Sequence, residues 1–444
     1  MLLIYTPVIT NRIAYVMEHV FKEHLCIEYE ITADRDIWSS TNSISKFCYA
    51  REQTVEGIYF YANGLLHQTE ISEQALDVGI HSEVPVLFQH HNETSLLNFD
   101  VFAAVFYVVT RYEEYLGSEP DVYGNYDYRN SILHKLNVLQ IPIVEKWIGI
   151  LKEALKKAFP PLAIRANSAA RCLLSFDVDV AYAYKHRSFV RMAGGGFKKL
   201  FSLNFGTLKD QILTVLNRKQ DIFDTYDFIF SSIKKAPAIF FFNMGSYGVY
   251  DKNPFFKNPA FRKLIASIAE KYMVGLHPSY ASNKQEHLIA REKNRLEEIT
   301  GKKITASRQH YLKIKFPDTY RKLIELGIDK DFTMGYYYTY GFRAGTCNSF
   351  LFFDLVKNEA TSLRLYPFVF MEGTLNDVLK MSIEEAKQTI SGFINSVEDQ
   401  GGLFIPLWHN STLCDADGWM GWREVFNHML RELSEKKFQS IDLG

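Results

Sequence analysis

Six polar side chains stand where apolar runs end, and their types are those of metal-assisted hydrolysis. In Leu173-Leu-Ser-Phe-Asp177-Val-Asp179 an apolar run meets two carboxylates spaced i, i+2. In extended chain both point to one side, where like charges require a cation or a shared proton. Val274-Gly-Leu-His277 ends a second run and is stopped by Pro278. A neutral imidazole at such a point can ligate zinc or cobalt. Ala306-Ser-Arg308-Gln-His310-Tyr311 sets an arginine beside a histidine; a buried Arg308 near Asp177 would keep that carboxylate ionised and oriented. Leu403-Phe-Ile-Pro-Leu-Trp-His409 closes a further run with a histidine. Each feature alone also reads as an Asp-capped turn, a loop histidine or a surface Arg–His pair. Together they offer metal ligands, a carboxylate base and a histidine acid.

Such residues must be carried on strand ends. The patterning predicts strands at Cys172–Phe176, Ala238–Asn243, Tyr272–Leu276, Ile304–Ser307, Ser362–Phe370 and Leu403–Trp408. Helices are expected near Ala260–Lys271, Lys284–Thr300, Pro317–Leu326 and Ile383–Glu398. This alternation points to an α/β fold whose parallel sheet is closed or nearly closed into a barrel, with its active site at the C-terminal strand ends. Residues 1–160 read as a separate mixed α/β domain. Its expected strands are Leu2–Thr6 and Ile58–Tyr61, and its expected helices are Arg12–His24, Val101–Leu116 (opened by Asp100) and Val144–Ala158. Pro160-Pro161 begins a linker to a second domain at 170–444.

The composition is globular, with 47% hydrophobic and 23% charged residues. Lys+Arg number 50 against 51 Asp+Glu, a balance that does not favour nucleic acid or an anionic membrane as partner. The five cysteines are scattered and form no CxxC, which fits a reducing compartment. The N-terminus reads as a strand and not a signal peptide, and no apolar run can span a bilayer, so a cytoplasmic protein is expected.

At these motifs the sequence resembles the polysaccharide deacetylases, carbohydrate esterase family 4 with its NodB-type homology domain, over about residues 170–435. Ser175-Phe-Asp177-Val-Asp179, Gly275-Leu-His277-Pro-Ser-Tyr280, Ser307-Arg308-Gln-His310-Tyr311, Gly341-Phe-Arg343-Ala-Gly-Thr346 and Trp408-His409-Asn410 also look like a divergent bacterial subgroup with an extra N-terminal domain. The resemblance implies a deformed (β/α) barrel that removes an acetyl group from an N-acetylated sugar or polysaccharide. It makes Asp177 the base, Arg308 its partner and His409 the acid. It makes Asp179 and His277 ligands of a divalent metal: zinc, or else cobalt or nickel. The family's second-motif histidine would fall at Ala281, and His310 is expected to replace it.

Arg343 contacts substrate or braces the site, or else forms an ion pair with a nearby acid. Tyr311, Tyr336 and Trp408 are expected to bind the sugar, although for a dense run such as Tyr336–Tyr340 packed loop aromatics are the commoner outcome. The basic stretch Lys185–Lys219 reads as an insertion over the site mouth or as a solvated helix face. Two other readings stand beside the deacetylase: an inactive glycan-binding barrel, and a C–N hydrolase acting on a small amide.

Overall fold

The computed structural model describes residues 1–41, 45–164, 169–185, 205–285, 287–416, 418–441 and 443. Most of the basic insertion (186–204) and part of the expected linker (165–168) lie outside the described residues.

The molecule is mixed α/β with mainly parallel sheets. Leu2–Tyr5 (β1), Tyr29–Thr32 (β2), Lys46–Ala50 (β3) and Ile58–Tyr61 (β4) form a parallel sheet in the order β2-β1-β3-β4. β2 and β3 go beyond the sequence expectation. The predicted helix Arg12–His24 is an α-helix over Asn11–Met17 that continues as a π-helix over Glu18–His24. The predicted Val101–Leu116 stops at Val109. Asp100 caps its start by accepting from the Ala103 N–H, and Arg111 at φ +54° breaks it before a 3-10 turn at Tyr112–Tyr115. Every residue of Val101–Val109 is buried, so this helix is the centre of the N-terminal core and not an amphipathic cover. Helix Ile143–Ala158 follows, as expected.

The larger sheet is built from Leu174–Val178 (β5), Ala238–Asn243 (β6), Met273–His277 (β7), Ala306–Ser307 (β8), Lys330–Asp331 (β9), Phe350–Asp354 (β10), Glu359–Leu365 (β11), Phe370–Met371 (β12) and Pro406–His409 (β13). Its order is β10-β11-β9-β8-β7-β6-β5-β13-β12, and only the β10–β11 pair is antiparallel. β5 and β6 are buried along their whole length, as strands covered on both faces must be. The predicted strand Ser362–Phe370 is divided by Pro367. Tyr366 N–H still bonds to Asp331 O and Phe368 N–H to Met334 O, while Val369 N–H bonds to Ile405 O. One extended stretch thus holds to the β9 side at its start and to the β13 side at its end.

Helices Pro259–Ala269, His287–Thr300, Asp318–Glu325, Ile383–Gln400 and Trp422–Glu435 alternate with these strands. Ile383–Gln400 has a full capping box from Ser382 and Glu385 and ends on Gly401 at φ +63°. No helix among the described residues is long and apolar enough to cross a membrane. No disulfide is formed among the described residues.

The N-terminal region is joined closely to the larger sheet, and one apolar cluster includes Leu2, Val105, Phe240 and Leu433. Two glycines of the 341–346 motif make this possible. A Cβ on Gly341 (φ +120°) would lie 2.3 Å from Leu139 O, and one on Gly345 (φ +63°) would lie 2.6 Å from Val108.

Candidate metal centre and cleft

The strand register brings the chemistry together. β13 pairs with β5 so that His409 lies opposite Asp177, and β7 pairs with β6 so that His277 lies opposite Asn243. Arg308 N–H bonds to Leu276 O and carries the β8 end alongside. Asp177, Asp179, His277, His310, Tyr311, Tyr337, Asp377, His409 and Trp419 share the lining of a cleft of about 300 Å³.

Asp179 is the focus. His277 Nε2 lies 3.0 Å from its Oδ1, while His310 Nε2 and His409 Nε2 lie 3.4 and 3.6 Å from its Oδ2. One ligand atom each from Asp179, His277 and His310 fall within 4.8 Å of one another, a spacing suited to a metal ion. Although His277 Nε2 stands beside it, the buried Asp179 Oδ1 has no well-aligned hydrogen bond. The two groups converge on a common point and do not satisfy each other. That orphaned oxygen and the O,N,N donor set both fit a divalent cation.

Each ring is held through its other nitrogen. His277 Nδ1 is 2.5 Å from Arg308 O, His310 Nδ1 is 2.9 Å from Asp251 Oδ1, and His409 Nδ1 is 2.7 Å from Glu372 Oε1. Such outer partners fix the tautomer and aim Nε2. Asp251 is itself bonded by Asn243 Nδ2 and by Tyr280 N–H. Glu372 also accepts from His409 N–H and Thr412 Oγ1.

The electrostatics follow from this crowding. Burial opposes charge on Asp179, but His310, His277 and His409 outweigh it and hold the carboxyl well below its usual range. Burial would also lower His310 and His409. Against it, Asp179 and Asp251 raise His310 to about 9, and Glu372, Asp179 and Asp177 raise His409 to about 10. Arg308, fully buried, donates from Nη1 to Asp177 Oδ1 (2.9 Å), from Nη2 to Ser175 Oγ and from Nε to Phe332 O. Asp177 Oδ2 is left facing His277 Nε2 at 3.8 Å.

The structure thus gathers Asp177, Asp179, His277, Arg308, His310, His409 and Tyr311 at one cleft. It does not bring Trp408, Tyr336 or Arg343 there. Alternation along β13 sends Trp408 to the side opposite His409, where it packs on Phe370, Trp422 and Phe426. Tyr336 is buried against Tyr128, with its hydroxyl accepting from Arg111. Arg343 forms a fork with Glu114 at 2.9 and 2.6 Å and also donates to Gly335 O, so it is a brace to the N-terminal region. From the same tyrosine run, Tyr337 lines the cleft instead.

Three acids escaped the sequence reading: Asp251, Glu372 and Asp377. Glu372 follows the apolar run Phe368–Met371, so the strand-end signal that marks His277 marks it too. Asp251 lies in a loop with no such signal.

Residues 2–160 match a family model described as a family of unknown function (DUF7033). No curated protein matches the chain. Among solved structures it is similar to a polysaccharide deacetylase from Bacillus cereus, at 13% identity over 62% of this chain and 93% of that one, with a TM-score of 0.31. It is similar to the catalytic domain of a peptidoglycan N-acetylglucosamine deacetylase from Eubacterium rectale, at 12% identity over 64% and 94%, TM-score 0.29. It is also similar to a CE4 family pseudoenzyme from Bacillus anthracis, at 10% identity over 62% and 64%, TM-score 0.31.

Proposed function

We propose that the chain is a metal-dependent hydrolase that removes an acetyl group from an N-acetylated sugar or polysaccharide. The observation that carries this is the convergence of three imidazole Nε2 atoms on Asp179, each ring held through Nδ1, with an arginine-held carboxylate beside them. Asp179, His277 and His310 would hold the cation, so His310 takes the place of a histidine at Ala281. A divalent cation in this cradle supplies a Lewis acid for the acyl oxygen and lowers the pKa of water.

The chain's own groups complete the chemistry. Asp177, steadied at Oδ1 by Arg308, accepts the proton of the attacking water at Oδ2. His409, charged and anchored by Glu372, donates from Nε2 to the departing amine. Tyr311, Tyr337 and Trp419 give the cleft an aromatic lining, which favours a sugar over a small amide. In the same reading, the stretch Glu359–Met371 closes the larger sheet into a deformed barrel, with residues 1–160 and 170–444 as its two domains.

The test is acetate release from N-acetylated glycans by protein loaded with zinc, cobalt or nickel and by metal-free protein. Release that depends on the metal is expected. Equal rates with and without metal, or no release with any of the three ions, would reject the hydrolase.

A further inference from the structure

The cleft's aromatic wall is not held by the larger sheet alone. Tyr311 sits at φ +60° and Leu312 at φ +53°, two successive non-glycine residues in the left-handed region. Such a conformation persists only where surrounding contacts impose it. Some of those contacts come from the N-terminal region, through the turn Asp121–Asn125. Asp121 Oδ1 accepts from the N–H groups of Tyr123 and Asn125, and Gly124 N–H bonds to Asp121 O, which makes the turn rigid. Buried Asn125 then donates from Nδ2 to Tyr311 O at 3.1 Å. Lys313 returns the contact by donating from Nζ to Tyr123 O at 2.8 Å. The Tyr123 ring packs on Tyr311 (5.2 Å) and Tyr337 (5.5 Å), both of which line the cleft. On its other side Tyr311 meets Tyr250 and Tyr280. Asp121 and Asn125 of the turn also share the lining of a small cavity with Leu312 and Tyr337 of the wall.

We infer that the turn Asp121–Asn125 positions Tyr311 and Tyr337 as a stacking wall for the pyranose unit next to the one that carries the acyl group. The N-terminal region is then part of the substrate site, and Tyr123 and Asn125 are positioning residues. This rests on the reading of the cleft as a glycan site.

The test titrates tetra-N-acetylchitotetraose calorimetrically onto the full chain, metal-free and zinc-loaded, and compares it with monomeric N-acetylglucosamine. Acetate release from the tetramer is measured in parallel. Tyr123→Ala is expected to weaken tetramer binding and raise KM about tenfold, the scale of one lost aromatic contact, with kcat within about twofold. Tyr123→Phe, which keeps the ring, should restore most of the affinity. Asn125→Asp, which loses the donor at constant size, should weaken the tetramer more than the monomer. Zinc stoichiometry should stay at the wild-type value, and each variant should remain folded at the assay temperature although it melts somewhat lower. Wild-type tetramer affinity in both Tyr123→Ala and Asn125→Asp would overturn the inference. So would loss of binding together with zinc in every variant, or no tetramer binding by wild type in either metal state. Tetramer binding without acetate release would reject the hydrolase and leave the wall standing. Release with an unchanged KM in Tyr123→Ala would do the reverse.

Discussion

Two buried arginine–carboxylate pairs, made of the same groups, do different work. Arg343 grips Glu114 through both carboxylate oxygens, and Arg111 adds a further bond to Oε1. Nothing of Glu114 is left to react, and the pair ties the N-terminal region to the loop after Gly335. Burial opposes the Glu114 charge, yet Arg343 and Arg111 hold its carboxyl below the usual range. Arg308 instead takes only one oxygen of Asp177 and spends its other donors on Ser175 and Phe332. The second oxygen of Asp177 stays on the cleft side. An arginine that satisfies a carboxylate fully makes a brace, and one that satisfies it by half leaves an oxygen open to the cleft, as the base proposed above requires.

The largest effect expected from this contrast is at Asp177. Asp177→Asn should lower metal-dependent acetate release by about 10³-fold, within the range for loss of a general base, in protein that still folds but melts at a lower temperature, because buried Arg308 loses its carboxylate. Arg343→Met should do the opposite. It leaves Glu114 buried with too few partners and is expected to cost about 3–5 kcal/mol of stability by denaturant unfolding, while folded protein keeps its metal and its turnover per bound ion.

A third prediction concerns another link between the two regions, Arg364 to Glu23 at 2.6 Å. Burial would raise Glu23, but His19 and Arg364 bring it down to about 2 from 4.5. A depressed acid stabilises fully above its unfolded pKa and loses that contribution as pH falls through the folded one. The shift corresponds to about 3 kcal/mol. Glu23→Gln should therefore be less stable than wild type at pH 6, and the gap should close as pH falls from 4.5 toward 2 in acid-unfolding curves. The smallest effect is at Asp251. Asp251→Asn keeps the shape but weakens the anchor on His310, and metal affinity should fall about 10–100-fold.

The sequence made the strand ends legible because parallel strands buried on both faces are written as apolar runs, and a polar residue closing such a run stands out. Asp177, His277 and His409 were found that way. The same rule failed at Lys330–Asp331, a two-residue strand with no run to read, and at Asp251, which a loop delivers. It does not extend to Trp408, because alternation next to His409 requires the opposite face. Tyr336 and Arg343 were legible as unusual residues but not as a seam, because their partners Arg111 and Glu114 are more than two hundred positions away in the chain.

The replacement of the histidine expected at Ala281 by His310 is the central claim. It is tested most directly by calorimetric titration of zinc into metal-free wild type and His310→Ala. One tight site per chain in wild type, weakened at least about 100-fold in His310→Ala, is the predicted result. Equal affinity in the two proteins, or no zinc bound by wild type, would contradict it.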